Sequence, residues 1–213
     1  MSLIFLRHGK LLLPYADHSE MPFNIIRELG IGTLNPPVDM NVLSDLYQDI
    51  EPLITTQAIK EIYASPSERC RTTALFLQAA LKKEEHMIST YQVDALKEIE
   101  FDLYQLMPAE ERALKDLSKL NNAVFSGMVT GQGAETATQA IVRFTNWFTT
   151  LPTTTGSRVF VTHDFLLRII ELYFRNGKTP SREYSVDMLT ATHRNTYLRG
   201  FVIDEGGKIV YLD

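Results

Sequence analysis

The stretch LIFLRHG, residues 3–9, runs four apolar residues straight into Arg7, His8 and Gly9. A short unbroken apolar run of this kind reads as a strand buried on both faces, as a covered parallel sheet requires. RVFVTHD, residues 158–164, repeats the arrangement with an apolar run that ends in a histidine. Weaker strand patterns lie at 60–64 (KEIYA) and 87–92 (MISTYQ), and residues 196–212 read as a hairpin turning at Asp204, Glu205, Gly206 and Gly207. Helical spacing follows several of these strands. Residues 68–83 put Ala74, Leu77 and Leu81 on one face behind a Ser65-Pro66-Ser67 start. Residues 135–150 do the same with Ala140, Ile141, Phe144, Trp147 and Phe148, and residues 165–175 are apolar almost all round. Strand followed by helix, repeated, predicts an α/β fold around a largely parallel sheet.

The 213 residues suit one domain spanning 1–213. A hydrophobic content of 45% and a charged content of 22% are those of an ordinary globular chain, so folding is expected along most of the length. The formal net charge of −5 offers no general attraction to nucleic acid or to an anionic membrane, and an anion site must therefore be a local arrangement. A lone cysteine, Cys70, excludes an intramolecular disulfide and a multi-cysteine zinc site, and suits a reducing cytoplasm. No apolar run approaches the ~20 residues that span a bilayer. LIFL is too short, and lacks the preceding basic residues, for a secretory signal. A soluble cytoplasmic protein is the expectation.

Two segments interrupt the strand-helix alternation. Residues 10–59 carry a predicted helix near LSDLYQDI, and residues 103–133 carry one predicted at 109–120 followed by the glycine-punctuated SGMVTGQG. Connections this long are expected to be covers or lids over a site.

In an open parallel sheet ligands bind beyond the carboxyl ends of the strands, which is where His8 and His163 both fall. Either histidine alone would most simply be a hydrogen-bonded loop residue; the pair, each behind a convincing strand, points to a site. Arg69 stands at the start of the helix that follows 60–64. Its fork of donors matches phosphate oxygens, and a helix N-terminus adds positive potential. Arg7 supplies a second fork. Without the histidines, Arg69 and Arg71 would read as solvated charge.

Four elements in this order resemble the histidine phosphatase superfamily, the phosphoglycerate-mutase-like fold of branch 1. They are Arg7-His8-Gly9, Ser65-Pro66-Ser67-Glu68-Arg69 with Thr73, Leu96-Lys97-Glu98-Ile99-Glu100-Phe101, and Thr162-His163. A bare RHG is a weak signal; the ordered set across the chain is strong. The resemblance implies a three-layer α/β/α sandwich with a central mostly parallel sheet. It further implies His8 as a nucleophile that becomes phosphohistidine, and Arg7, Arg69 and His163 as holders of the phosphoryl oxygens. Glu98 would be the acid and base, and Gly9 would allow the backbone to turn tightly near the phosphate. No metal and no cofactor are implied. Spacing alone does not choose between Glu98 and Glu100; the family's L-x-E pattern selects Glu98. The GAET segment at 133–136 resembles the family's G-G-E-S/T element and reads as a helix start with Thr136 near the cap. Cys70 reads as a small inert residue behind the site.

The chain also departs from the family. Lys10 and Pro14 stand where Glu or Gln and a phosphate-contacting Asn are common, Leu43-Ser44 and Tyr47 replace most of an L-T-x-x-G helix, and Asp164 follows His163 in place of Gly. These changes fall on the substrate side. The leading expectation is a metal-independent phosphomonoesterase acting on a small phosphorylated substrate. A phosphoglycerate-mutase-type phosphotransferase comes second. A metal-dependent HD-type phosphohydrolase, suggested by His163-Asp164, and a non-catalytic phospholigand-binding protein are the remaining alternatives. Residues 10–59 hold two positive charges, Lys10 and Arg27, against seven negative, which favours a small or weakly charged monoester. Tyr15, Phe23, Phe125 and Met128 read as core with a possible second use against a leaving group, and His193 and Arg194 as distant candidates for the pocket. Oligomeric state is not legible in the residues.

Overall fold

A computed structural model of the chain describes residues 1–15, 20–82, 87–112, 116–132, 135–178, 183–193 and 196–212. Six strands form one sheet in the order β3-β2-β4-β1-β5-β6. They are β1 (Leu3–Arg7), β2 (Ile59–Ala64), β3 (Ser89–Gln92), β4 (Ser157–Thr162), β5 (Gly200–Ile203) and β6 (Ile209–Leu212). The pairs β1–β4, β4–β2 and β2–β3 are parallel, and the hairpin β5–β6 adds antiparallel to β1. The mostly parallel sheet and its terminal hairpin are those the sequence predicts.

Side chains alternate across the sheet, and the two faces belong to two separate cores. Ile4, Leu6, Ile62, Ala64, Val159 and Val161 face one core, with Leu43, Ile50 and Ile54 of α2 (Met40–Ile54) and Cys70, Ala74 and Leu77 of α3 (Glu68–Ala80). Leu3, Phe5, Tyr63, Phe160 and Phe201 face the other. That side is covered by α1 (Phe23–Gly30), α4 (Leu103–Leu106), α6 (Leu117–Thr130), α7 (Ala137–Phe148), α8 (Asp164–Arg175) and α9 (Val186–Thr190), with a short α5 (Ala109–Arg112) between α4 and α6. The result is a three-layer α/β/α sandwich.

Register is held by a row of rings across the strands. Tyr63 stacks on Phe160 at 5.6 Å, Phe160 on Phe5 at 4.6 Å, and Phe5 on Phe201 at 5.1 Å, each a directly paired residue on the neighbouring strand. Aromatic pairs of this kind contribute about 0.5–1.5 kcal/mol each beyond their buried area. A slip of one residue would turn every ring to the wrong face, so the row also fixes where the strands end.

Two expectations need correction. The helix predicted at 109–120 is divided: α5 ends at Arg112, α6 begins at Leu117, and residues 113–115 lie outside the described set. SGMVT, placed by the sequence reading beyond the end of that helix, continues α6 to Thr130, and Gly131 closes it at φ 77° in the left-handed region. Gly127 is there for close approach: a Cβ would lie 2.5 Å from Leu106 of α4. Helix α1, between Pro22 and Gly32, was not anticipated within 10–59. Thr136 caps α7 as expected, in a reciprocal capping box with Gln139; Gly133 and Ala134 of that segment lie outside the described residues. Among the described residues no helix is long and apolar enough to cross a membrane.

Candidate active site

Strand β4 lies between β1 and β2, and the three end together. Arg7 pairs with Thr162, and Ala64 with Val161. The next residue on each strand therefore falls at the same edge: His8, His163 and Ser65. The ladder carries on past the strand ends, with His8 N–H donating to Thr162 O at 3.0 Å and Ser65 N–H to Val161 O at 3.0 Å. The two imidazoles stand 5.2 Å apart in an edge-to-face arrangement, both buried.

The hydrogen bonds assign the tautomers. Nδ1 of His8 lies 2.8 Å from the carbonyl of Gly9. A carbonyl only accepts, so Nδ1 carries the proton and Nε2 carries the lone pair. Nδ1 of His163 accepts from Arg69 Nε at 3.3 Å, which places the proton of a neutral ring on Nε2, 3.0 Å from Ser65 Oγ. Burial holds both histidines well below the usual histidine range. His163, Arg69 and Arg7 add to the effect at His8, and Arg69, Arg7 and Arg143 at His163. Both rings are neutral near pH 7.

Gly9 has a positioning place in this arrangement. Its N–H donates to Thr73 Oγ1 at 2.9 Å, and Thr73 in turn donates to Arg69 O at 2.7 Å. A Cβ on Gly9 would lie 2.7 Å from Val38 and 2.9 Å from Leu43. The glycine thus lets the His8 loop sit against α2, and its φ is not in the left-handed region. The tight-turn reason expected for it is replaced by close packing.

Arg69, in the first turn of α3, also donates to Asn35 Oδ1 at 3.2 Å. The Arg7 guanidinium lies 4.4 Å from the centre of the Tyr197 ring. Glu98 reaches the N-terminus of α8, where Oε1 accepts from Leu166 N–H at 3.1 Å and from Ile99 N–H at 3.0 Å. Oε2 takes a longer bond from Phe165 N–H at 3.3 Å. Burial pushes Glu98 up to about 7, aided by the charge of Asp164 and opposed by these N–H donors and Arg69. Glu100 is exposed and lies outside the pocket lining.

Arg7, His8, Arg69, Glu98 and His163 all line one pocket of about 140 Å³. Neutral imidazole, two guanidiniums and a protonatable carboxyl facing one cavity is an arrangement suited to phosphoryl transfer. A family model described as the histidine phosphatase superfamily (branch 1) matches residues 48–208. The chain belongs to the histidine phosphatase superfamily. The match begins beyond His8, whose place comes from the sheet edge itself.

Solved structures share the fold. The mycobacterial glucosyl-3-phosphoglycerate phosphatase, in complex with inorganic phosphate, has a TM-score of 0.63 at 16% identity, covering 99% of this chain and 93% of that one. A putative alpha-ribazole-5'-P phosphatase from Escherichia coli gives 0.60 at 15%, covering 99% and 94%. Phosphoglycerate mutase from Bacillus anthracis gives 0.58 at 16%, covering 99% and 91%. No curated protein matches by sequence.

Other residues in and around the pocket escaped the sequence reading. Tyr197, Asn35 and Asn121 stand far from the motifs, and Arg143 acts from behind. Arg143 forks Glu135 at 2.8 and 2.6 Å and donates to the carbonyls of Asp94, Ala95 and Lys97, tying down the segment that leads to Glu98. Phe125 and Met128 are core, and Tyr15 and Phe23 pack against it. His193 donates its N–H to Glu171 and stacks on Tyr211 at 4.5 Å, outside the pocket lining, and Arg194 lies outside the described residues. Cys70 Sγ sits 3.4 Å behind His163 Nε2, its thiol pushed up to about 12 by burial. It is inert near neutral pH. Asp164 pairs with Arg168 at 3.2 Å, and among the described residues no three His, Cys, Asp or Glu side chains gather as a metal site.

Proposed function

We propose that this histidine phosphatase superfamily member is a metal-independent phosphomonoesterase that acts through a phosphohistidine on His8. The observation that carries the reading is the His8–Gly9 bond: it leaves Nε2 as the lone-pair nitrogen of a neutral ring, in the same pocket as Arg7 and Arg69.

His8 Nε2 attacks phosphorus and the bond from phosphorus to the leaving oxygen breaks. Glu98 gives its proton to that oxygen, releasing the alcohol. Water then attacks the phosphohistidine, its proton passing to the Glu98 carboxylate, the N–P bond breaks and inorganic phosphate leaves. A group pushed to about 7 is populated in both forms near neutral pH, as both half-reactions require. The arriving dianion favours protonated His163, which joins Arg7 and Arg69 in balancing the charge on the transferring oxygens.

The test is a screen of phosphate monoesters with and without chelator, comparing wild type with His8→Ala, with rapid quench to trap the phosphoenzyme. Chelator-resistant turnover that His8→Ala lowers by at least roughly 10³-fold is expected. Full metal-independent activity in His8→Ala would overturn the mechanism. Interconversion of the monophosphoglycerates without release of phosphate would establish a mutase instead.

A further inference from the structure

Part of the pocket lining is apolar. Ile26 and Leu29 of α1, Phe101, Leu120, Phe165 and Leu11 contribute to it, with the polar Asn121 beside Leu120. The wall is rigidly built. Phe101 meets Phe165 edge-on at 5.4 Å. Gly30 lets α1 press against Phe101: a Cβ there would lie 2.6 Å from the ring, and Phe101 N–H donates to Gly30 O at 3.1 Å.

Few charges stand beside these apolar residues in the lining. Among the described residues that line the pocket, Arg7 and Arg69 are the cations beside two neutral histidines, while Glu98 and Asp164 are the carboxyl groups. Arg27 sits on the same helix as Ile26 and Leu29, yet its guanidinium forks Asp102 at 2.7 and 2.8 Å and lies 4.4 Å from the Tyr104 ring centre. Arg168 is paired with Asp164 and donates to Thr192, and Arg112 lies 4.4 Å from the centre of the same Tyr104 ring, outside the pocket lining. A carboxylate or second phosphate on the leaving group would lose its water against an apolar wall and, among the described lining residues, find no cation beyond Arg7 and Arg69. An uncharged ring or alkyl group would bury apolar surface against it.

Resting on the hydrolase reading above, we propose that this enzyme selects phosphate monoesters of uncharged, largely apolar alcohols, whose ring or alkyl body lies against Leu29, Phe101 and Phe165, over esters that carry a second anionic group. Phosphoryl recognition and leaving-group recognition then fall to different residues of one pocket.

The test uses a pair of esters matched in the chemistry of the scissile bond: phenyl phosphate and 4-carboxyphenyl phosphate, whose phenols are similar in acidity. Wild type is expected to favour phenyl phosphate by about tenfold or more in kcat/KM. The same order is expected for 2-phenylethyl phosphate over 3-phosphoglycerate. Leu29→Lys, which brings a cation to the wall, should narrow or reverse the preference within the matched pair. Equal or better turnover of the carboxylated esters by wild type would overturn the proposal while leaving the hydrolase reading intact. Failure to hydrolyse any of the four would overturn the hydrolase reading and the proposal with it.

Discussion

The backbone N–H of Gly9 donates to Thr73 Oγ1 at 2.9 Å, joining the loop that carries His8 to the helix that carries Arg69. Both functional side chains are referred to one buried hydroxyl. Thr73→Val keeps the shape and removes the acceptor, leaving a buried N–H unsatisfied at a cost of about 1–3 kcal/mol. Loss of about ten- to a hundredfold in kcat with a smaller change in KM is the expected kinetic signature, because His8, the proposed nucleophile, loses its alignment. Thr73→Ser should restore most of it. An unchanged kcat in Thr73→Val would show that the loop is held by other contacts.

Glu98 is expected to matter in proportion to the basicity of the leaving oxygen. For alkyl esters kcat/KM should fall about tenfold per pH unit above pH ~7, since the acid form is lost as the group ionises. An ester of a strongly acidic phenol needs little protonation and should show a weak basic limb. Glu98→Gln should abolish the limb and slow the alkyl esters by about 10²–10⁴-fold. Identical pH profiles for wild type and Glu98→Gln on the same alkyl ester would remove Glu98 from the acid role.

The same carboxyl makes stability depend on pH. Its folded value is raised from an ordinary 4.5 to about 7. Between those values the folded state keeps a proton that the unfolded state has lost, so its contribution is full below pH ~4.5 and lost as pH rises through about 7. Glu98→Gln escapes this loss. Denaturant unfolding should find the variant more stable than wild type by about 1–3 kcal/mol at pH 8, with the difference shrinking toward pH 4. His8 and His163, both held low, act in the opposite sense: they cost stability as pH falls below about 6.5, where unfolded histidine takes up protons. A stability gap for Glu98→Gln that does not vary with pH would show that the carboxyl is not held raised in the fold.

Gly200 opens β5 opposite Leu6, where a Cβ would lie 1.9 Å from the carbonyl oxygen of Phe5. Gly200→Ala must push β5 off β1 and with it Phe201 off Phe5. A loss on the order of 3 kcal/mol or more is expected, seen as a large fall in melting temperature. The nearby Gly207, at φ 81° in the hairpin turn with open space around it, should lose less, about 1 kcal/mol, on substitution by Ala.

Much of this architecture is local chemistry and so is written in the order of residues. LIFLR and SRVFVT are strands because unbroken apolar runs have one low-energy home, the middle of a covered sheet, and His8 and His163 fall just past their ends by counting. The helix over Glu68–Ala80 and the cap at Thr136 follow from periodicity and capping chemistry in the same way. Gly127 misled because a glycine in sequence does not say whether it breaks a helix or admits a neighbour. Leu106, which needs the space, is in another element. Helix α1 was hidden by its short span between Pro22 and Gly32.

What the tertiary structure alone decided is whatever depends on distance between remote residues. The ordered motifs named Arg7, His8, Arg69, Glu98 and His163, but the register of β1, β4 and β2 is what brings three strand ends level. Glu98 differs from Glu100 two residues away because one carboxyl, half-buried, bonds the N-terminus of α8 and the other is exposed. The Arg69 bond that sets the His163 tautomer, the ring of Tyr197 beside Arg7 and the apolar lining arise from contacts between distant segments. Burial, tautomer and charge pairing are properties of a neighbourhood, and the neighbourhood forms only when the sheet closes its register.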